Sequence, residues 1–203
     1  MKSRKVSVKN PNSRGRCQFR IIGGQWRGRK LSFPDSPGLR PTPDRVRETV
    51  FNWLADKLDG AECLDLFCGS GAMGLEALSR GAKQVHFMDS SPAVVASVRH
   101  HLGLLPGASG KVISASLPEG LQVLQESFDL VFLDPPYADA EKMIAASVEG
   151  LLAEKKLRPE AWLYVENSSV DLPPALPCQF TLHRQKVAGQ VRYSLFHYQA
   201  DPL

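Results

Sequence analysis

Three observations predict an α/β fold built on a mostly parallel sheet. From residue 61 onward, short apolar runs alternate with segments of helical period. The apolar runs are near-continuous, as strands covered by helices on both faces require. The last two runs flank Ala188-Gly189-Gln190, a turn that makes them an antiparallel hairpin. Such alternation implies parallel strands joined by right-handed crossovers. A chain of 203 residues, 43% of them hydrophobic, is long enough for one sizeable core.

In chain order, residues 1–16 are polar and aperiodic and read as a disordered basic tail. Residues 18–22 and 29–33 read as a small β-hairpin around Gly23-Gly24 and Gly28, followed by a loop to Pro41. Residues 17–41 thus form an N-terminal extension, and residues 42–203 form the main domain with its entry helix. That helix has start chemistry: Thr42 as N-cap, Pro43 at the first helical position and Asp44 in the first turn. Val46, Val50, Trp53, Leu54 and Leu58 give it one core-facing stripe. Of Arg45, Arg47 and Glu48 in its first turns, part must face away from the core. Strands are expected over residues 63–67, 84–88, 111–115, 129–133 and 162–165, with helices over 72–80, 92–102, 118–125 and 140–152. The closing hairpin spans residues 180–186 and 191–198.

Charge is unevenly placed. Residues 1–47 carry 13 Lys and Arg against Asp35 and Asp44, whereas the remainder carries 12 basic and 19 acidic residues. A basic arm on an acidic body suits a polyanionic partner. For residues 1–16 alone a solvated tail explains the charge equally well; residues 17–47, with apolar positions and glycine turns among their arginines, favour a binding surface. Cys17, Cys63, Cys68 and Cys178 form no CxxC pair, which suggests a reduced, cytoplasmic protein without a structural metal. No apolar run approaches the roughly 18 residues of a membrane span. The Arg- and Ser-rich start has the composition of a transit peptide, but Pro11 and Gly15 interrupt any amphipathic helix.

Two motifs carry chemistry. Asp65-Leu66-Phe67-Cys68-Gly69-Ser70-Gly71-Ala72-Met73-Gly74 follows the first core strand and opens a helix, and its glycines satisfy G-x-G-x-x-G. Glycine lets the backbone turn tightly and approach a ligand without Cβ atoms in the way. Asp89 ends the next strand about 20 residues on, where a carboxylate accepts from ribose hydroxyls. Ser91 with Pro92 behind it should cap the following helix, leaving Asp89 free. The pair indicates an adenosine-containing cofactor, and the loop alone leaves NAD and S-adenosylmethionine both open. The fourth strand ends in Asp134-Pro135-Pro136-Tyr137. Two prolines remove two N–H donors, so the Asp134 carboxylate and the Pro135 carbonyl form an acceptor-only edge. Such an edge can hold an amino group by its hydrogens, and Tyr137 offers a face for stacking a base.

With both motifs in hand, the chain resembles the Rossmann-like class I methyltransferases: Asp134–Tyr137 is similar to the [DNS]PP[YF] motif of amino-group methylases. The resemblance is closer still to the bacterial 16S ribosomal RNA guanine-N2 methyltransferases. It rests on Arg20-Ile21-Ile22-Gly23-Gly24-Gln25-Trp26-Arg27-Gly28-Arg29-Lys30-Leu31, on Arg40-Pro41-Thr42-Pro43-Asp44-Arg45-Val46-Arg47-Glu48-Thr49 and on Lys186-Val187-Ala188-Gly189-Gln190-Val191. It covers residues 18 to 199. It implies a seven-strand, mostly parallel sheet whose last strand is antiparallel, with S-adenosyl-L-methionine held by Asp65, Phe67, Gly69, Ser70, Gly71, Asp89 and Ser90. Where related enzymes often carry Asp or Asn for the adenine amino group, this chain has Ser116, whose hydroxyl can accept the same bond. The implied substrate is 16S ribosomal RNA, within the small subunit or an assembly intermediate, at the guanine of position 966, and the implied enzyme is a monomer. Arg20, Arg27, Arg29, Lys30, Arg40 and Arg45 are the candidate RNA contacts.

The implied reaction is in-line methyl transfer to guanine N2, a poor nucleophile because its lone pair is delocalised into the ring. Help is then mainly positioning, with Asp134 and Pro135 turning the lone pair toward the methyl group and Tyr137 stacking the base. The released proton goes to Asp134 or to water. Cys68 is expected to pack within the loop rather than attack. An adenine-N6 methylase shares the DPPY motif, but no separate target-recognition domain is evident. A dehydrogenase leaves the acceptor edge and the basic arm unexplained, and a non-catalytic RNA-binding protein would need no cofactor loop. His86 and His183, in strand-like stretches, read as structural.

Overall fold

The protein is described as a computed structural model over residues 16–34, 42–136 and 139–200. The basic tail to residue 15, Arg40 in the loop before the entry helix, and Tyr137 lie outside the described residues. The elements are β1 (Arg16–Arg20), β2 (Lys30–Pro34), α1 (Asp44–Trp53), β3 (Glu62–Leu66), α2 (Ala72–Ser79), β4 (Gln84–Asp89), α3 (Pro92–Leu104) and β5 (Gly110–Ser114). After a 3₁₀ turn at Glu119–Val123 come β6 (Phe128–Leu133), α4 (Ala140–Ala153), β7 (Leu157–Ser168), β8 (Phe180–Ala188) and β9 (Val191–Tyr198).

The seven-stranded sheet has the order β5-β4-β3-β6-β7-β9-β8, parallel from β5 to β7 and antiparallel over β9 and β8. The expected architecture is therefore present, with β1 and β2 as a separate antiparallel pair. Consecutive strands run outward from β3 to β5, and the chain then returns to β6 on the other side of β3. That reversal places the ends of β3, β4 and β6 at the switch point where open α/β sheets bind ligands. β3 and β6 bury nearly every side chain, which is why they read as continuous apolar runs.

Three elements differ from expectation: α1 ends at Trp53, so Leu54 and Leu58 of its expected stripe are buried beyond the helix, and two later elements change as well. Residues 118–125 form only a short 3₁₀ turn. Gly120 lies where a Cβ would stand 2.7 Å from that of Ala115 and 3.1 Å from the Met88 sulfur, so the turn packs closely against β4. β7 is far longer than the predicted 162–165. Its first half, Arg158-Pro159-Glu160, hides from any apolar pattern because Arg158 pairs with Asp129 and Glu62 at 2.7 and 3.0 Å. A register shift against β6 and a positive φ at Glu160 mark the irregularity there.

The N-terminal hairpin is built into the main core. Phe19, Ile21, Trp26, Leu31 and Phe33 are buried in one cluster with residues of α1, α2 and β3. The join is a polar one centred on Glu76, which is fully buried in α2. Its carboxylate accepts from the Ile22 and Gly23 amides at 2.7 and 2.8 Å and from Arg80 Nε at 2.7 Å. Arg47, itself fully buried, stands 3.6 Å from Glu76 through Nη1. The same guanidinium donates to the Arg20 carbonyl, to Asp44 at 2.6 Å and to the Thr42 carbonyl. Three residues further along the chain, Ser79 accepts from the Trp26 amide and donates to the Gly23 carbonyl. Gly24 must be glycine here: its φ is +74° and a Cβ would fall 1.7 Å from the Ser79 carbonyl oxygen.

Of the three charged residues at the start of α1, Arg45 and Glu48 are not buried and Arg47 is the buried one. Thr42 does not cap the helix, because Pro43 holds the N-cap position and no side chain caps it. The Thr42 hydroxyl is used elsewhere.

Candidate active site

The loop after β3 turns on three left-handed residues, Phe67 (φ 56°), Gly69 (φ 52°) and Gly71 (φ 76°). Gly71 leads into α2, and a Cβ there would crowd Val98 of α3 at 3.1 Å. Left-handed backbone at a non-glycine residue such as Phe67 is strained and persists where surrounding structure enforces it. Asp65 lies beneath this loop, only 3% exposed, and accepts from the Gly74 amide at 2.9 Å. Gly74 could bear no side chain, since a Cβ would meet Phe87 at 2.3 Å. The structure thus gives Asp65 a loop-holding contact, while Ser70 is buried and Gly69 partly open.

Burial pushes the Asp65 carboxyl up to about 8, with the Gly74 hydrogen bond opposing and the Asp89 charge adding to it. A carboxyl raised on folding contributes stability that is present below its unfolded value of about 4 and lost as pH rises through the folded value. Asp65→Asn keeps an acceptor for Gly74 without the charge. Thermal unfolding should therefore show the Asp65→Asn variant matching wild type at about pH 4 and gaining on it steadily up to about pH 8. Parallel stability curves across that range would refute the shift.

Asp89 ends β4 as expected, and Ser91 caps α3 with Pro92 behind it, accepting from the Val94 amide. Asp89 is not left free, however. Its Oδ2 accepts from the Gly69 amide at 3.0 Å and its Oδ1 from the Ser91 amide at 2.9 Å. Two lone pairs per oxygen leave acceptor capacity for ribose hydroxyls, and the same carboxylate ties the glycine loop to the end of β4. Ser90 and Ser116 are both exposed. Asp89 pairs with Ser114, and the Ala115 amide donates to the Asp89 carbonyl, so Ser116 follows directly beside this acidic edge. A loop turned on left-handed glycines at Gly69 and Gly71, next to a carboxylate with spare acceptor sites, fits an adenosine-bearing cofactor. Calorimetry with S-adenosylhomocysteine should show Asp89→Ala weakening binding by about 2–4 kcal/mol, the loss of hydrogen bonds to a charged acceptor. Unchanged affinity would remove Asp89 from the site.

Across β3, Leu133 ends β6 and Asp134 and Pro135 follow it. Pro135 is buried and Asp134 keeps only limited access to solvent. Burial, then the Glu166 and Asp65 carboxyls, hold the Asp134 carboxyl well above the usual range, against a hydrogen bond from Thr42. The Thr42 hydroxyl lies 3.4 Å from Asp134 Oδ2 and 3.2 Å from Glu166 Oε2, and Tyr164 Oη donates to that same Oε2 at 2.8 Å. Glu166 escapes notice in the sequence, and Thr42 is read there only as a helix cap. The legible signal is an acid placed directly after the apolar run of residues 162–165, at the end of a strand. Cys68 is buried against the loop and burial raises its thiol well above the ordinary range, as befits a packing residue. His86 is buried against the Phe128 ring and His183 packs edge-on to Trp162, both structural contacts.

Of the basic candidates, Arg20, Arg27, Arg29, Lys30 and Arg45 are all exposed. Arg20 and Lys30 are cross-strand partners, and Arg20 stands 3.5 Å from Asp44, next to Arg45. Gln18, Phe19, Arg20, Lys30 and Asp44 line a surface depression of about 290 Å³. Arg29 is partly committed, donating to the carbonyl of Leu104 at the end of α3 at 3.0 Å. Among the described residues no helix is long and apolar enough to cross a membrane.

Residues 19–197 match the model of a family described as conserved hypothetical protein 95. The chain is 45% identical over 194 residues to the Ribosomal RNA small subunit methyltransferase D of Escherichia coli (strain K12), spanning 96% of this chain and 97% of that protein. The Haemophilus influenzae protein of the same name is 43% identical, over 93% and 97%. A solved Escherichia coli structure carrying a methyltransferase name superposes with a TM-score of 0.81 at 43% identity, covering 91% of this chain and all of that one.

Proposed function

Because this chain belongs to the conserved hypothetical protein 95 family and is similar along its length to small-subunit ribosomal RNA methyltransferases, we propose that it methylates the exocyclic N2 of a guanine in 16S ribosomal RNA. It is a ribosomal RNA methyltransferase dependent on S-adenosylmethionine. The observation that carries the finer reading is the acceptor edge: Asp134 and Pro135 follow β6, the immediate neighbour of the strand that bears the glycine loop. An amine held there by its two hydrogens sits at the switch point with its nitrogen free to attack.

S-adenosylmethionine supplies an electrophilic methyl group on a sulfonium centre. Gly69, Gly71 and Asp89 would hold its adenosine half, with Ser90 and Ser116 at the rim. Asp134 and the Pro135 carbonyl orient the amine so that its lone pair faces the methyl carbon, which is where most of the rate enhancement arises for a weak nucleophile. Tyr137, two residues beyond Pro135, supplies the stacking face for a base turned out of its helix. Residues 17–41 present the basic surface to the RNA backbone, and residues 42–203 carry the chemistry.

Incubating unmethylated small subunits with labelled methyl donor and digesting the RNA to nucleosides should yield N2-methylguanosine. Label in N6-methyladenine, or acceptance by DNA alone, would sink the guanine assignment. For the basic surface, Arg27→Gln with Lys30→Gln should weaken RNA binding and lower the slope of log affinity against log salt by about 1 per lost phosphate contact. Both side chains are exposed, so folding should not suffer. An unchanged slope would take them off the RNA.

A further inference from the structure

Asp134 follows the end of β6 and Glu166 lies in the neighbouring parallel strand β7, each directly after a residue of the paired couple Leu133 and Val165. A single hydroxyl, that of Thr42, lies between their facing oxygens at 3.4 and 3.2 Å. Thr42 is 5% exposed and Glu166 3%, and Asp134 keeps only limited access to solvent, so water screens the pair weakly. One hydroxyl carries one hydrogen and can satisfy one carboxylate. A complete bridge needs a second hydrogen, and a carboxyl pair holding one proton provides it.

We propose that Asp134, Thr42 and Glu166 form one proton-holding unit, which carries a single shared proton at rest and takes up a second when the amine is methylated. The inference rests on the methyl-transfer reading above. Tyr164 Oη donates to Glu166 Oε2, which makes Glu166 the resting place of the negative charge and Asp134 the protonated member. The surroundings agree. Asp65, in β3, is itself pushed up to about 8 by burial and so brings no positive charge to offset the pair. From α1, Arg47 meets this unit at the Thr42 carbonyl, its charge being matched by Asp44 and Glu76. From β9, the residue opposite Glu166 is Tyr193.

The proton and charge balance closes within the site. The amine nitrogen gives its lone pair to the methyl carbon, the carbon–sulfur pair stays on sulfur, and the nitrogen is left with one proton too many. That proton passes to Asp134 Oδ1, the Oδ2 proton passes to Thr42 Oγ1, and the Thr42 hydrogen passes to Glu166 Oε2. The unit goes from one negative charge to none as the positive charge on sulfur disappears, so the pair of changes leaves the site's net charge where it began. Glu166 and Thr42 are positioning and proton-relay residues; Asp134 is the one that touches the substrate.

Carbon-13 carboxyl NMR on the full chain without cofactor or RNA tests the resting state, with Asp134→Asn and Glu166→Gln assigning the two signals. Asp134 should be protonated at neutral pH, both signals should move together in two steps, and Glu166→Gln should shift the Asp134 midpoint downward. Two carboxyls ionised independently below neutral pH would overturn the shared proton. Single-turnover methyl transfer tests the relay: Thr42→Val should slow it by about 10-fold or more with cofactor affinity intact, and Thr42→Ser should restore it. Wild-type rates in Thr42→Val would overturn the relay. A wild-type protein that methylates no RNA would instead remove the function reading, which the cofactor-free titration does not depend on.

Discussion

Asp134→Ala is expected to lower turnover about 100-fold or more while affinity for the methyl donor stays nearly intact. The alanine removes both the acceptor that orients the amine and the carboxyl that receives its proton. The glycine loop has its own supports: Asp89 and Asp65 hold the Gly69 and Gly74 amides. Asp134→Asn separates the two roles, because the amide keeps an acceptor oxygen but takes no proton. It should recover part of the orientation and none of the proton uptake. Single-turnover rates alongside calorimetric cofactor binding distinguish these outcomes, and a loss that appeared in cofactor affinity instead of turnover would place Asp134 elsewhere.

Glu76→Ala is expected to destabilise the fold by about 3–5 kcal/mol, as removal of one partner from a buried charge cluster does. The variant leaves the Ile22 and Gly23 amides without their acceptor and the buried Arg47 with Asp44 as its remaining acidic partner. Glu76→Gln retains shape and one acceptor oxygen and should lose less. Urea unfolding measures the difference directly, and a midpoint equal to wild type would show the cluster to be energetically idle.

The parts of this molecule legible in its sequence are those in which one residue type has one physical use. The glycine loop is legible because φ angles of +52° and +76° at Gly69 and Gly71 call for glycine, and the acid at Asp89 sits where strand becomes helix. The order of strands from β3 onward follows from apolar runs alternating with helices. Glu76 and Arg47 are illegible for the opposite reason. A glutamate in Ala72-Met73-Gly74-Leu75-Glu76-Ala77-Leu78-Ser79 looks like the solvent side of a helix until the connection between β1 and β2 folds over it at Ile22 and Gly23. Thr42 misleads in a similar way. Placed before Pro43 and Asp44 it has every mark of a helix cap, yet its hydroxyl serves two acids 92 and 124 residues further along the chain. Contacts at such separation leave no periodicity to detect.

The seating of the N-terminal hairpin on α2 has a consequence for how the molecule is made. Ile22 and Gly23 leave the ribosome before the carboxylate that receives their amides, which follows 54 and 53 residues later. The basic hairpin is therefore synthesised before the helix that fixes it, since closing so long a loop must precede the contacts that reward it. Until α2 arrives, Phe19, Ile21 and Trp26 have no core to enter. During that interval a nascent chain carries an arginine-rich, apolar segment within reach of the RNA-rich particle that is producing it.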